Sequence, residues 1–487
     1  MEVKEKIERQ EEEGQGGVIL TSQGGILFLR PKWLTFPLRI IVICSFSVIT
    51  LFLGFFMNYW GVADQEWFAN HQLDTESSIM GRMVKSRQDG IFSDGGLEGL
   101  GSLNNTPVFF DDKPFRNQYL AYFTGRSFGA YTTYNSQIGG QGILLSMLDK
   151  FIPLPPRVKY SLFRALTSLL TAISLTGIIL WFYLEFGLTA ALFVLASAVL
   201  SQWLTVFGRN IAWSLWAFYL PIAAIMYYLK FKRGLMNTGR STFGVIIFIM
   251  IFIKCLFSGY DYITTVAIMV IVPFVYYSIL DRLNFRKFLA GLFTAAFSSC
   301  LAILLSLIIL CVQIGSVKGS FLDGIDHLVY SFEKRTHGKS SNFPSEIASS
   351  LESSTTHVVA TYLAGTYFDA TNYLPCSNPF ISTYLLKVRY LYLILLFMIM
   401  SRLLYFRGNK CVNENEKRKH LALILATWFS ILAPLSWFII FKGHSYIHTH
   451  MNYIIWQMPF VFFGFAICGL VVKSLSPNLI CLTRHST

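Results

Sequence analysis

The chain has 487 residues, of which 54% are apolar, 16% aromatic and only 14% charged, with a formal net charge of +13. Soluble domains carry nearer ~25% charged residues, and several apolar runs here reach the ~20 residues a helix needs to cross the hydrocarbon core. A soluble domain is thereby excluded, and the lack of period-2 alternation in those runs excludes a membrane barrel. The positive excess gathers in short connections between apolar runs, where membrane insertion and anionic lipid account for it. No basic stripe with interleaved aromatics is present, so no nucleic-acid partner is expected.

In chain order, residues 1–36 form a polar tail with an acidic cluster (Glu8, Glu11, Glu12, Glu13). That charge and order do not suit a cleaved signal. The first apolar run, Pro37 to Trp60, follows Arg30, Lys32 and Arg39 and reads as an uncleaved anchor with a cytoplasmic N-terminus. Nine more spans are predicted at about 160–183, 187–207, 211–229, 242–258, 262–280, 288–313, 384–405, 420–441 and 453–472. Lys and Arg favour one set of connections: Lys230, Lys232, Arg233 and Arg240; Arg282, Arg286 and Lys287; Arg407, Lys410, Lys417, Arg418 and Lys419; then Lys473. The opposite short connections carry only Arg209 and Lys442.

The expected fold is an all-α membrane protein of about ten transmembrane helices, with two large outer loops carrying short surface helices. The polytopic domain is 37–472, and 473–487 is a cytoplasmic tail. The loops, about 61–157 and 314–383, are too long to be mere connectors. Five cysteines (Cys44, Cys255, Cys300, Cys311, Cys468) fall in predicted spans and only Cys376 in an outer loop, so no disulfide framework holds the loops. Trp60, Trp203 and Trp213 lie near predicted interfaces, as an aromatic belt places them.

Ionisable residues beside a span mark functional sites. On the acidic side, Asp64 and Glu66 follow the first span within a turn. Asp74 and Glu76 open an amphipathic helix, with Asp74 placed to cap it and Ile79, Met80, Met83 and Val84 opposing Arg82, Lys85 and Arg87. That helix is expected to lie on the outer membrane surface. Asp111 and Asp112 form a second acidic spot, and Asp261 closes the turn Ser258-Gly259-Tyr260-Asp261-Tyr262.

On the basic side are Arg164, Arg209, Lys254, Lys387, Arg389 and the turn Lys442-Gly443-His444-Ser445-Tyr446-Ile447-His448-Thr449-His450. Insertion disfavours cations at this level, so something must hold them there. Taken singly, Asp74 could be only a cap, Arg164, Lys387 and Arg389 could snorkel, and Lys254 with Asp261 could be a structural pair. His444 and His448, four apart, suit a polar interfacial turn better than zinc, which needs more ligands. Taken together, cations can bind a lipid-linked phosphate and stabilise it as leaving group, while a carboxylate takes the proton of an acceptor hydroxyl.

On these features the chain resembles the GT-C glycosyltransferases, which include protein O-mannosyltransferases and the lipid A aminoarabinose transferase. The resemblance is carried by the one-helix, large-loop opening and by Asp74-Thr75-Glu76-Ser77-Ser78-Ile79-Met80-Gly81-Arg82. Asp112-Lys113-Pro114-Phe115, Tyr134-Asn135-Ser136-Gln137-Ile138-Gly139-Gly140-Gln141-Gly142 and Arg209-Asn210 add to it. It departs in splitting the acidic pair with Thr75 and in lacking a soluble domain after the last span. The resemblance implies sugar transfer from a polyprenyl-phosphate donor to a glycan, lipid or protein acceptor at the outer face. Asp74 and Glu76 would then be catalytic, Arg209, Lys254, Lys442 and His444 would bind the donor phosphate, and Asp64, Glu66, Asp111 and Asp112 would bind the acceptor or orient the loop. No cofactor is firmly implied; a divalent cation is compatible with the acidic loop. A bacterial plasma membrane is favoured over the endoplasmic reticulum, for which the sequon Asn104-Asn105-Thr106 speaks weakly. A polysaccharide polymerase or ligase, a multi-span transporter and a non-enzymatic lipid-binding scaffold are the alternatives.

Overall fold

The computed structural model describes residues 19–20, 26–27, 36–103, 114–232, 239–374, 377–408 and 413–475. The chain divides into two units, 1–46 and 47–487. In the first, β1 (Ile19–Leu20) pairs antiparallel with β2 (Ile26–Leu27), and helix α1 (Phe36–Met57) begins.

The second unit continues from α1 through α2 (Gln65–Asn70), α3 (Leu73–Asp89), β3 (Gly99–Ser102), α4 (Pro114–Thr124), β4 (Ala130–Thr133) and α5 (Gly140–Phe151). Next come α6 (Pro156–Phe186), α7 (Leu188–Val199), α8 (Gln202–Phe207), α9 (Trp216–Phe231), α10 (Arg240–Ser258), α11 (Ile263–Met269), α12 (Val272–Leu280) and α13 (Phe285–Lys318). A second group of short elements follows: α14 (Phe321–Arg335), α15 (Ser345–Glu352), α16 (Thr355–Ala364), β5 (Thr366–Asp369) and β6 (Lys387–Arg389). The chain ends with α17 (Tyr390–Gly408), α18 (Glu414–Ser430), α19 (Leu432–Ile440), α20 (Lys442–Ile447), α21 (Thr449–Asn452) and α22 (Phe460–Leu475).

Among the described residues, seven helices are long and apolar enough to cross a membrane: Leu38–Met57, Pro156–Phe186, Arg240–Ser258, Ile263–Leu280, Phe285–Lys318, Tyr390–Gly408 and Glu414–Ile440. Thr449–Gln457 with Phe460–Leu475, bent by 43°, makes an eighth if the pair is one span. The protein is therefore an integral, multi-pass membrane protein, mostly helical. The two remaining sequence-predicted spans are helical but short: α7 and α9 have 12 and 16 residues, about 18 and 24 Å against a core of ~30 Å. Local side chains explain both. Ser201 Oγ accepts the Leu204 amide at 3.2 Å and starts α8 afresh. Asn210 Oδ1 takes the amides of Ala212 and Trp213, both at 3.0 Å, and delays α9. The span predicted from 384 begins at Tyr390, because Lys387 and Arg389 sit on β6, where Lys387 meets Asp369 at 3.2 Å.

Helix α6 sets the scale of the bundle. Arg164 near its start pairs with Glu76 of α3, and Glu185 at its end meets Lys230 at 2.7 Å and accepts from Tyr277 at 2.7 Å. Twenty-one residues of rise separate the two pairs by about 31 Å, close to the thickness of the hydrocarbon core. Both charged pairs thus stand at its edges, where desolvation is least costly.

Both long loops lie at the Arg164 end of the bundle. Asn372 Nδ2 donates to the Val62 carbonyl at 2.8 Å, and Lys442 Nζ donates to Leu351 and Ser353 carbonyls at 2.7 and 3.0 Å. Helix α13, 34 residues and about 51 Å long, overshoots the core, and its Gln313 Nε2 donates to Gly95 and Ile138 carbonyls at 2.9 and 3.0 Å.

Helix α3 does not lie on lipid. Its Ile79, Met80, Met83 and Val84 are buried against Ala121, Tyr122, Phe128, Leu145, Phe163 and Ile211, so protein covers the apolar face that the sequence assigned to the membrane. Its expected polar face is engaged too. Arg82 is fully buried and donates to the carbonyls of Gly90, Ser93 and Leu97. Gly81 permits this packing, since a Cβ there would lie 2.0 Å from the Gly99 carbonyl oxygen of β3.

Candidate functional site

Three of the cations expected to bind a phosphate instead close helix C-termini, which is what holds them at this level. Arg209 donates to the Phe68 and Ala69 carbonyls of α2 and stacks on Phe68 at 3.8 Å. Lys254 is fully buried, donates to the Gly259 carbonyl at 2.8 Å and to that of Asp261, and lies 4.8 Å from the Phe218 ring. Lys442 caps α15 through Leu351 and Ser353. Each neutralises carbonyls at the negative end of a helix. Burial, and next the nearby Arg164, push the Arg209 guanidinium down to about 10.

The acids sort in the same way. Asp64 N-caps α2, accepting the Trp67 amide at 2.9 Å, and Glu66 stands exposed in the first turn of that helix. Glu76 is fully buried; it accepts from Arg164, from Tyr160 at 2.7 Å and from the Ile211 amide at 3.1 Å. It is a structural anchor whose lone pairs are occupied. Asp74 does not cap α3: the cap position is Gln72, in the left-handed conformation and without a side-chain cap bond. Asp74 is exposed in the first turn, within electrostatic reach of His450. Asp111 and Asp112 lie outside the described residues.

What gathers near Asp74 is a ring of aromatic side chains from five stretches of sequence. His71 packs on Phe207 (4.7 Å between centroids), Phe207 on Trp213 (4.9 Å), Trp213 on Tyr262 (5.6 Å) and Tyr262 on Trp437 (5.2 Å). Trp437 packs on His444 (5.5 Å), His444 on His448 (4.6 Å) and His448 on His450 (5.8 Å). At the far end of this chain of contacts, the charge of His450 is felt at His71, though their rings are not in contact. Burial, and then His450, push His71 down to about 3, so it is a neutral aromatic at physiological pH. Burial and the cations around them likewise lower His444 and His448.

Polar atoms on this ring lack partners. His71 Nε2, Trp213 Nε1, Trp437 Nε1 and His444 Nδ1 are buried without a hydrogen bond among the described residues, in a class of groups that native proteins nearly always satisfy. Two carboxylates stand beside the ring: Asp74, and Asp261, whose Oδ1 is 4.0 Å from His444 Nε2. Of the expected donor-site residues, only His444 belongs to this ring. Among the described residues no group of three or more His, Cys, Asp or Glu side chains could hold a metal ion.

Below Asp74, Glu98 is buried and accepts from Ser78 at 2.9 Å and Gln137 at 2.7 Å. Burial pushes its carboxyl up to about 7, against those two hydrogen bonds and the Arg82 charge. Sequence reasoning missed Glu98, His71 and the role of Trp213. Glu98 and His71 carry no local motif, and the ring partners of His71 and Trp213 come from distant segments. The triple-histidine turn was the one available signal.

Set against known proteins, the chain matches no family model, no curated protein and no solved structure.

Proposed function

We propose that the protein transfers a sugar from a polyprenyl-phosphate donor to a hydroxyl acceptor, with the reaction at the loop end of the bundle. The observation that supports this most is the aromatic ring with unpaired N–H groups and two carboxylates at its side. Ring faces can cover the C–H faces of a sugar while indole and imidazole nitrogens take its hydroxyls. In this reading the loop end is the outer face of a bacterial plasma membrane. Ten crossings are kept by counting α7–α8 and α9 as spans buried within the bundle.

Asp74 is the general base, since Glu76 has no free lone pair. Its carboxylate takes the acceptor proton as the acceptor oxygen attacks the anomeric carbon. The bond from that carbon to the phosphate oxygen breaks, and the lipid phosphate leaves with the electron pair. Asp261 orients His444 beside the sugar. Asp74→Asn should leave expression and donor binding intact and cut transfer by ~10²-fold or more, measured with purified protein in proteoliposomes. Normal turnover in that variant would place the base elsewhere, and absence of transfer from every polyprenyl-phosphate sugar by the wild type would remove the reading.

A further inference from the structure

Helix α3 starts without a cap, since Gln72 is in the left-handed conformation and makes no side-chain cap bond. Its first turn is held instead by side chains folded back on that turn. Thr75 Oγ1 donates to Gln72 Oε1 at 2.6 Å, Ser77 Oγ to the Asp74 carbonyl at 2.5 Å and Ser78 Oγ to the Thr75 carbonyl at 2.9 Å. The turn that presents Asp74 therefore depends on where these few hydroxyl protons go.

Ser78 has one such proton and two acceptors. Glu98 Oε2 lies 2.9 Å from its oxygen, the same distance as the Thr75 carbonyl, and a hydroxyl donates only once. When Glu98 is ionised, its carboxylate and the Thr75 carbonyl compete for that proton. A protonated Glu98 removes the conflict, because it donates to Ser78 Oγ and leaves the Ser78 proton on Thr75. The surroundings favour that form. Glu98 is buried, and a Cβ on Gly139 or Gly142 would stand 3.2 or 3.1 Å from its Cγ. The charged and titratable groups that face it are Arg82 of α3, Tyr131 of β4 and Tyr134 just after β4. Burial outweighs the Arg82 charge and favours the proton.

The same carboxyl oxygen reaches a second turn beside the aromatic ring. Gln137 Nε2 donates to Glu98 Oε2 at 2.7 Å, and Gln137 packs on Gly259, where a Cβ would lie 2.7 Å from the Gln137 Cβ. Lys254 holds the carbonyls of both Gly259 and Asp261. One carboxyl thus links the turn of Asp74 to the turn of Asp261.

We infer that Glu98 is a positioning residue: its proton decides whether Ser78 closes the first turn of α3, and so how Asp74 is held relative to the Asp261 turn. This rests on the reading of Asp74 and Asp261 as carboxylates beside a sugar, and deepens it by naming what sets their geometry. The proton link itself does not depend on transfer.

Amide hydrogen exchange tests this on full-length protein in phosphatidylcholine nanodiscs, with the intrinsic pH dependence of exchange divided out. The two conditions are about pH 6 and about pH 8, on either side of the Glu98 value of about 7. Protection over residues 76–80 should fall about 3- to 10-fold at the higher pH, the scale of one hydrogen bond. Glu98→Gln, whose amide N–H donates to Ser78 Oγ as the protonated carboxyl does, should keep the low-pH protection under both conditions. Ser78→Ala removes the shared donor and should abolish the pH step over 76–80. A Glu98 that only ties β3 to α3 gives the same step with or without the Ser78 hydroxyl. Should Glu98→Gln fail to purify as a monodisperse protein, Ser78→Ala alone decides. No step in the wild type, or an unchanged step in either variant, would overturn the assignment and leave the transferase reading standing. A step that needs both residues, in a protein showing no sugar transfer, would keep the proton link and remove the transferase reading.

Discussion

Two sides of helix α3 treat their polar groups in opposite ways. Toward α5 and α6, carboxylates are saturated: Asp149 meets Arg87 at 2.6 Å, Lys159 at 3.2 Å and the Tyr122 hydroxyl at 2.7 Å, and Glu76 is closed by Arg164, Tyr160 and Ile211. Burial by itself would raise the Asp149 carboxyl, but hydrogen bonds from Arg87 and Tyr122 hold it below its ordinary value. Toward the turn 442–450, the pattern reverses. Asp74 is exposed, and the buried nitrogens of His71, Trp213, Trp437 and His444 have no partner. A saturated buried charge is an anchor, since any ligand would have to displace bonds already made. An unpaired buried donor is a liability for stability alone, and it becomes useful when a ligand supplies the acceptor.

The largest effect is expected on the saturated side. Glu76→Gln leaves Arg164 buried without its counter-charge and should destabilise the protein by ~3–5 kcal/mol, read as a large fall in thermal unfolding temperature in detergent. Retained stability in that variant would mean that Glu76 is not an anchor and would return it to the list of candidate bases.

Glu98 lies between the two regimes, with neutral donors and a charge only at a distance. Its folded pKa of about 7 stands above the ordinary 4.5, so the folded state holds a proton that the unfolded state releases in that window. The stabilisation is fully present below the unfolded value and is lost as pH rises through about 7. Stability should therefore fall by on the order of 3 kcal/mol between acid and alkaline conditions, and Glu98→Gln should flatten the curve. Unfolding midpoints measured on both sides of neutrality check this; equal slopes in wild type and variant would sink it.

The smallest effect is expected on the unsatisfied side. Trp213→Phe removes an N–H that has no partner while keeping most of the ring contact with Tyr262. Stability should change by less than ~1 kcal/mol or rise, while affinity for the sugar donor should drop about 5- to 10-fold, one neutral hydrogen bond. Calorimetry and donor binding on one preparation separate the two. A stability loss without an affinity change would make the ring core packing.

Much of the fold was legible in the chain. Each predicted span overlaps a helix, and seven, or eight with the bent pair, are long and apolar enough to cross a membrane among the described residues, because long apolar runs declare themselves by their length against the bilayer. The errors came where side chains act on backbone or on other helices. Ser201 and Asn210 shorten two spans by capping turns, and the amphipathic pattern of α3 gives a face but not what covers it.

The sequence by itself determined that this is a multi-pass membrane protein and that its long loops are rich in acids. Only the tertiary structure decided what those charges do. Arg209, Lys254 and Lys442 close helix ends, and Glu76 is an anchor. The reason is physical. Hydropathy is a sum along the chain, whereas the state of a charge depends on which donors and acceptors approach within about 3 Å, and for Arg209, Lys442 and Glu76 those arrive mostly from residues 84 to 141 positions away.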